Sequence, residues 1–293
     1  MNEMVLCEKV SKKLGSYQLK DICFALPKGY VLGVIGRNGT GKTSLLRCLM
    51  GVYRLEGNEQ GVGEVSIDGI AISKDAKSYK KQVIMVSSTC AYQNSYRASE
   101  VGELFGCYYE GFTMERFLKN MERLEVPKKA IIQTLSKGQQ VRLQLAFALS
   151  VDVKVYIFDE PAGNLDVEFR EEFYRLVREL LADGEKTVIY ASHLVEELEG
   201  LADYILWLHN SNESGEQKFF GTLEELKETY RMVEGTKEVL SEMDPSAIIG
   251  GREGKNHDEW LVLSEALSEQ QRQNARYADL KEIMYYEEKG MVH

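Results

Sequence analysis

The sequence predicts an α/β fold: a mainly parallel core sheet with helices on both faces, an antiparallel β subdomain, an inserted helical subdomain and a small α+β C-terminal appendage. Three observations carry that prediction. Apolar runs at residues 30–35 (YVLGVI), 153–158 (VKVYIF), 187–191 (TVIYA) and 204–208 (YILWL) read as strands buried on both faces of a parallel sheet. Amphipathic helices alternate with them; one over about 167–182 carries Phe169, Phe173, Leu176, Val177 and Leu180 on one face, with Gly184 past its end. Residues 99–149 hold helical patterns without a strand-like run longer than a few residues, so a helical block interrupts the core.

In chain order, residues 4–29 read as two antiparallel strands. Val5, Leu6 and Val10 open the first; Ile22, Phe24 and Leu26 alternate in the second, which stops at Pro27-Lys28-Gly29. The apolar run 30–35 then enters a glycine-rich loop, and residues 43–50 continue as a helix with Leu45, Leu46, Leu49 and Met50 at helical spacing before Gly51. Residues 56–63 are polar and glycine-rich, hence a loop; 64–68 alternate as a strand; 83–86 (VIMV) form a short apolar strand. Helices are expected at 99–109, 113–123, 128–134 and 139–149, with Pro127 in the first turn of the third. Thr222 with Glu225 three residues on is a capping-box pattern. The tail from about 233 has weak strands at 247–251 and 259–263 and two helices after them. The expected division is 1–225, with a helical subdomain at about 88–150, and an accessory domain at 226–293.

Composition narrows the function classes. A length of 293 residues gives ample core. A formal net charge of −10, with only small basic clusters such as Lys12-Lys13 and Lys80-Lys81, argues against nucleic acid as a partner. No run of about 18 apolar residues is present to span a membrane. The first residues, MNEMVLCEKV, lack the apolar core of a secretory signal, so a cytoplasmic location is expected. The five cysteines form no C-x-x-C pair; small buried side chains, rather than zinc ligands or disulfides, are expected.

Three motifs carry chemistry. Gly36-Arg37-Asn38-Gly39-Thr40-Gly41-Lys42-Thr43, followed by Ser44, fits the spacing of a glycine, four residues and Gly-Lys-Thr between a strand and a helix. Its glycines let backbone N–H groups turn inward at a helix N-terminus, where the helix dipole favours an anion. Lys42 can reach the β- and γ-phosphates, and the Thr43 hydroxyl can ligate Mg²⁺. Asp159 and Glu160 end an apolar strand; the first suits Mg²⁺ through its water shell, the second a general base for an attacking water. Leu135-Ser136-Lys137-Gly138-Gln139 lies upstream. Ser136 reads as a helix N-cap with Gln139 at the reciprocal position, and also as a second anion site with the Gly138 N–H.

The P-loop, the LSKGQ segment, the hydrophobic strand ending in Asp159-Glu160, Asn164-Leu165-Asp166, and His193 after TVIYAS together resemble the ATP-binding subunits of ABC transporters, over about residues 4–225. The resemblance implies an ATPase with ATP and Mg²⁺ as its cofactors, working as a homodimer or heterodimer of ATP-binding subunits on an integral membrane permease at the cytoplasmic face. In that arrangement Lys42 and the loop amides hold phosphates, Thr43 and Asp159 hold Mg²⁺, Glu160 polarises water and His193 contacts the γ-phosphate. Ser136, Lys137, Gly138 and Gln139 would close over the nucleotide of the second protomer, with Asp166 near the dimer axis. Segment variants such as LSKGQ and the short appendage look similar to type-2 bacterial exporter subunits, which handle peptides, antibiotics or lipids.

Two positions depart from the family pattern. Where a glutamine that contacts Mg²⁺ is usual, Ser87 or Ser88 stands, with Gln93 several residues late; Ser88 is the metal-side candidate. Where an aromatic residue stacks on adenine, Leu14 stands, and Tyr17 three residues on is the substitute. The competing class is a soluble ABC-type ATPase of translation or DNA repair, but the two ATPase domains or long coiled-coil insertions usual there are missing from the pattern. A P-loop kinase would need no LSKGQ segment. The helical block, entered through the loop before Tyr96, is the expected permease-docking surface, with Tyr92, Tyr96, Tyr108 and Tyr109 as its aromatic face.

Overall fold

In the structure, a computed structural model describing residues 3–58, 61–164, 167–211, 214–235, 243–252, 258–289 and 291–292, the chain forms two compact units: Met1–His193 with Leu206–Phe220, and Leu194–Ile205 with Gly221–His293.

The first unit begins with β1 (Glu3–Leu14) and β2 (Tyr17–Pro27), antiparallel across a turn at Gly15-Ser16. β3 (Val31–Ile35) leads through the glycine loop into α1 (Lys42–Leu49). The loop expected at 56–63 contains a separate two-stranded ladder, β4 (Gly57–Asn58) and β5 (Gly61–Val62). Then follow β6 (Glu64–Ile67), β7 (Ile70–Ala71), α2 (Ala76–Lys80) and β8 (Val83–Ser87). The helical block holds α3 (Glu100–Phe105), α4 (Met114–Arg123) and α5 (Lys137–Ala148). β9 (Val155–Asp159), α6 (Val167–Leu181), β10 (Thr187–Ala191), β11 (Tyr204–Ser211) and β12 (Ser214–Thr222) complete the core.

One ten-stranded sheet runs β7-β6-β1-β2-β12-β11-β3-β10-β9-β8. β3, β10, β9 and β8 pair in parallel, and every residue of β3, β9 and β10 is buried, as apolar runs covered on both faces require. β1, β2, β6 and β7 pair antiparallel at the other side. In register, Val34 lies beside Ala191, Ala191 beside Asp159, and Asp159 beside Ser87. The carboxyl ends of four strands therefore share one edge, where open parallel sheets place ligands.

The second unit contains α7 (Val195–Glu199), α8 (Leu223–Thr229), β13 (Tyr230–Gly235), β14 (Ile248–Arg252), β15 (Asp258–Leu263), α9 (Glu269–Asn274), β16 (Arg276–Tyr277), α10 (Leu280–Lys289) and β17 (Met291–Val292). Its five strands run β16-β13-β15-β14-β17 around a core of Val233, Met243, Trp260, Val262 and Leu267. α7 belongs here because α10 holds it: Lys281 pairs with Glu196 at 2.6 Å, and the Leu280 N–H donates to Glu199 at 3.0 Å. The capping box at Thr222 and Glu225 forms as the spacing predicts.

Three expectations need correction. No helix forms at 128–134: the Ala98 N–H donates to the Ala130 carbonyl, and Ile132 and Gln133 donate to Tyr96 and Asn94, so only residues 132–134 make a single 3-10 turn. Pro127 opens a turn closed by the Ala130 N–H instead of a helix. Of the cysteines only Cys7 and Cys48 are buried; Cys23 and Cys107 are exposed and Cys90 is half-buried. Third, the aromatic face of the helical block is only partly a surface: Tyr92 and Tyr109, both half-buried, pack edge-on against Phe147, Tyr96 is half-buried too, and Tyr108 stands out at 66% exposure. Among the described residues no helix is long and apolar enough to cross a membrane.

Candidate functional site

The site is assembled at the carboxyl edge of the parallel strands. Gly36, at φ 143°, turns the chain out of β3 with its α-carbon against the Leu208 carbonyl, where a β-carbon would not fit. Gly41 caps α1 in the left-handed region at φ 90°, so the loop ends on a helix N-terminus aimed into open space. The Thr40 hydroxyl donates to the Arg37 carbonyl at 2.8 Å and fixes the bend between them. Lys42 is buried, and its ammonium donates to the carbonyls of Gly36 at 2.6 Å and Arg37 at 3.1 Å. The cation thus folds back over its own loop, the position from which it can meet a phosphate.

A cleft of about 470 Å³ opens here, lined by Tyr17, Asn38, Gly39, Gly41, Lys42, Thr43, Ser44 and Glu160. Gly36, Arg37 and Thr40 shape the loop behind it. Leu14 does not line it; that residue faces Tyr17 across the β1–β2 turn, half-buried. The Tyr17 hydroxyl reaches the backbone of Gly41 and of Gly215 in β12, close enough that a β-carbon on either glycine would collide with it. Among the described residues that hydroxyl is buried without a hydrogen-bond partner, and burial pushes its pKa up to about 12.

Across the loop, the Thr43 hydroxyl donates to Asp159 Oδ2 at 2.9 Å. Burial raises the Asp159 pKa; the Thr43 bond opposes that shift and the neighbouring Glu160 adds to it. Two hard oxygen donors, one from α1 and one from the end of β9, fit Mg²⁺, which takes one or two protein oxygens and completes its shell with phosphate and water. Ser88 enters this arrangement through its backbone, its N–H donating to the Asp159 carbonyl at 3.0 Å, while the Ser87 hydroxyl is turned to the Thr89 carbonyl at 2.6 Å.

Glu160 takes a left-handed backbone at φ 51°, a conformation a non-glycine residue holds only when its surroundings enforce it. The enforcing contact is its N–H, which donates to the Ala191 carbonyl of β10 at 2.9 Å. The twist leaves the side chain in the cleft, with Oε1 3.3 Å from Nδ1 of His193. Glu160 and His193 are therefore neighbours, while Asp159 points to Thr43.

Ser136, Lys137, Gly138 and Gln139 stand apart from the cleft lining. Ser136 caps α5 in a complete capping box: its hydroxyl accepts from the Gln139 N–H at 3.2 Å, and the Gln139 side chain accepts from the Ser136 N–H at 3.0 Å. Ser136 and Lys137 are exposed, so this helix end is presented to solvent. Asp166 lies outside the described residues.

Two contributors escape sequence reasoning. Gly215 reads as an ordinary glycine in a polar stretch, yet it admits both the Tyr17 hydroxyl and the Thr40 carbonyl. Gln144, inside α5, is 2% exposed and hydrogen-bonds the backbone of Ser87. Only the burial of a polar residue marks it, and that is visible once the fold is known.

Comparison with known proteins gives a consistent result. The family model described as "ABC transporter" matches residues 19–163. The chain is 30% identical over 218 residues to the Nod factor export ATP-binding protein I of Ralstonia nicotianae, covering 72% of this chain and 66% of that protein. It is 29% identical over 230 residues to the ribose import ATP-binding protein RbsA of Hahella chejuensis, covering 74% of this chain and 45% of that protein. Among solved structures, a dimeric bacterial ABC transporter cassette, MJ0796, superposes with a TM-score of 0.64 at 23% identity, covering 75% of this chain and 99% of that one.

Proposed function

Because this chain belongs to the ABC transporter family of ATPases, we propose that it is the ATP-hydrolysing motor subunit of a transporter, driving a separate membrane permease from the cytoplasmic face. The loop amides of Gly39 to Thr43 and the Lys42 ammonium bind the β- and γ-phosphates. Thr43 and Asp159 hold Mg²⁺, which supplies charge neutralisation on the phosphates when bound. Tyr17 offers its ring to the adenine in place of Leu14. Glu160 takes the proton of the attacking water, a step typically worth about 10²–10⁴-fold. His193, 3.3 Å from Glu160, holds that carboxylate in place and contacts the γ-phosphate.

The observation that carries the reading is the convergence of the Thr43–Asp159 bond and the Glu160–His193 contact at one mouth of the loop. A structural ion pair would not need its carboxylate on a left-handed backbone facing a phosphate-sized cleft. Ser136 and Gly138 complete the site of a second chain, head to tail. All parts are present in one chain type, so a homodimer suffices, with a heterodimer as the alternative outcome.

Glu160→Gln tests this. It keeps the size and polarity of the side chain and removes the base. We expect ATP binding within about twofold of wild type, turnover down by at least about 100-fold, and ATP-dependent dimers in size-exclusion chromatography. Near-normal hydrolysis, or monomers only at saturating ATP, overturns the assignment.

Export of a peptide, antibiotic or lipid is the direction we favour, on the likeness of the LSKGQ variant and short appendage to exporter subunits and on the export relative. The import relative makes uptake the competing outcome. Co-purification with a polytopic membrane protein, followed by vesicle transport with ATP on one side, decides between them. Failure to recover any such protein favours the soluble ATPase reading.

A further inference from the structure

Gln144 is a neutral polar side chain two turns into α5, in a helix whose neighbours Val141, Leu143, Leu145 and Ala148 are all buried. A buried amide is retained only when its donors and acceptors are matched. Its Nε2 donates to the Ser87 carbonyl at 2.9 Å and to the Gln140 carbonyl at 3.4 Å, and its Oε1 accepts from the Ser87 N–H at 3.4 Å. Both backbone groups of Ser87 are thus bound by one side chain.

Ser87 is not an arbitrary anchor. It is the last residue of β8 and lies in register beside Asp159, and the next N–H, that of Ser88, donates to the Asp159 carbonyl at 3.0 Å. Asp159 in turn holds the Thr43 hydroxyl. At the other end of the same helix, about 12 Å away at 1.5 Å per residue, stands the Ser136–Gln139 capping box. A chain of hydrogen bonds, with one covalent step between Ser88 and Ser87, therefore runs from the first turn of α1 through Asp159 to Gln144. Helix rigidity carries it on to the exposed N-terminus of α5.

We propose that Gln144 is a positioning residue that couples nucleotide occupancy at Thr43–Asp159 to the pose of Ser136–Gln139. The proposal rests on the ATP-binding reading above and adds to it a route within one chain. Loading the loop replaces the Thr43–Asp159 bond by contacts to Mg²⁺ and phosphate, which shifts the end of β9. Gln144 passes that shift to α5 because it grips the strand neighbouring Asp159 by both backbone groups.

The test uses the full chain carrying Glu160→Gln, at a concentration low enough to stay monomeric, with and without Mg-ATP. Amide hydrogen exchange is followed for peptides covering 136–140 and 86–89. In the parent, ATP slows exchange in both peptides by at least about threefold. Gln144→Met keeps the length and volume of the side chain and removes every bond. With it we expect the 86–89 response to persist, the 136–140 response to fall below about twofold, and the ATP dissociation constant to stay within twofold. A merely structural role would instead speed exchange in both peptides equally, with and without ATP. Gln144→Leu, which likewise places a neutral apolar side chain in the buried site, covers the case in which the methionine variant misfolds, and should give the same loss of the 136–140 response. A 136–140 response that is absent in the parent, or equal in parent and variants, overturns the proposal. Failure of the parent to bind ATP overturns the functional reading on which it stands. Failure to dimerise at higher concentration counts against the two-chain arrangement alone.

Discussion

Replacing Tyr17 by alanine should weaken ATP binding far more than replacing Leu14. Tyr17 lines the cleft beside Gly39, Gly41, Lys42 and Thr43, and Leu14 is absent from that lining. Base–aromatic stacking is worth about 1–3 kcal/mol per base, so at about 1.4 kcal/mol per decade the dissociation constant rises about 5- to 150-fold in Tyr17→Ala. Leu14→Ala should stay within about twofold. Tyr17→Phe separates ring from hydroxyl. The hydroxyl is buried without a partner among the described residues, and such a group costs about 1–3 kcal/mol of desolvation. Its removal should raise the melting temperature of the free protein by a few degrees, at about 2–4 °C per kcal/mol for a large domain, while leaving ATP affinity unchanged. Isothermal titration with a non-hydrolysable ATP analogue and thermal melts of the same samples give both numbers. Equal effects of Leu14→Ala and Tyr17→Ala would refute the stacking role. A loss of affinity in Tyr17→Phe as large as in Tyr17→Ala would show that the hydroxyl, not the ring, meets the nucleotide.

Two further outcomes follow from the same site. Burial raises the Asp159 pKa, so the native state holds its proton to higher pH than the unfolded chain, and stability contributed by this group falls as pH rises from about 3.9 through the folded value. Asp159→Asn lacks that titration: its melting temperature relative to wild type should climb as pH rises through this window, while Mg²⁺-dependent turnover drops at least about 100-fold. A pH-independent melting difference would contradict the first half, and retained Mg²⁺ stimulation the second. In Gly41→Ala, a β-carbon at φ 90° would stand 2.6 Å from the Tyr17 hydroxyl. Left-handed backbone alone costs a non-glycine residue about 1–2 kcal/mol, so the melting temperature should fall by at least about 2–4 °C. Adding Tyr17→Phe should restore part of it, and a double variant no better than the single would place the cost in the backbone alone.

The parts of this molecule that local patterns specify were legible in the sequence. β3, the glycine loop and α1 follow from a buried apolar run, glycines that permit positive φ and a helical repeat, all within residues 31–49. The Ser136 and Thr222 capping boxes are equally local, and both form. The failures share a different physics. Residues 128–134 carry a helical pattern, but their N–H and C=O groups pair with residues 94–98, so a long-range ladder outcompetes a one-turn helix. β12 reads as polar because its ladder to β2, at Gly215 beside Leu19, and its accommodation of Tyr17 specify it, rather than alternating apolar residues. β13 was hidden at the start of what read as a weakly structured tail; its partner β15 lies more than 20 residues later. Tyr92 and Tyr109 looked like a surface because aromatic residues in a polar segment carry no sign of which side they face.

The two departures from the family pattern show the same logic at the level of chemistry. Leu14 stands where the family pattern has an aromatic ring and does not line the cleft; Tyr17 does line it, and Gly215, distant in sequence, leaves room for its hydroxyl. Ser87 and Ser88 stand where the family pattern has a glutamine, and Gln144, 57 residues after Ser87, hydrogen-bonds the Ser87 backbone from α5. Each substitution is local, and each compensating residue is distant, set by which strand or helix the fold brings alongside. A single-residue reading of either position therefore misjudges it as a loss. The unit that responds to change is the pair: Tyr17 with Gly215, and Ser87 with Gln144. Substituting Tyr17 or Gln144 should be costlier than its own contacts suggest, because Gly215 is then left beside a cavity and Ser87 with unpaired backbone groups, whereas a new side chain at Ser87 keeps the backbone bonds that Gln144 makes.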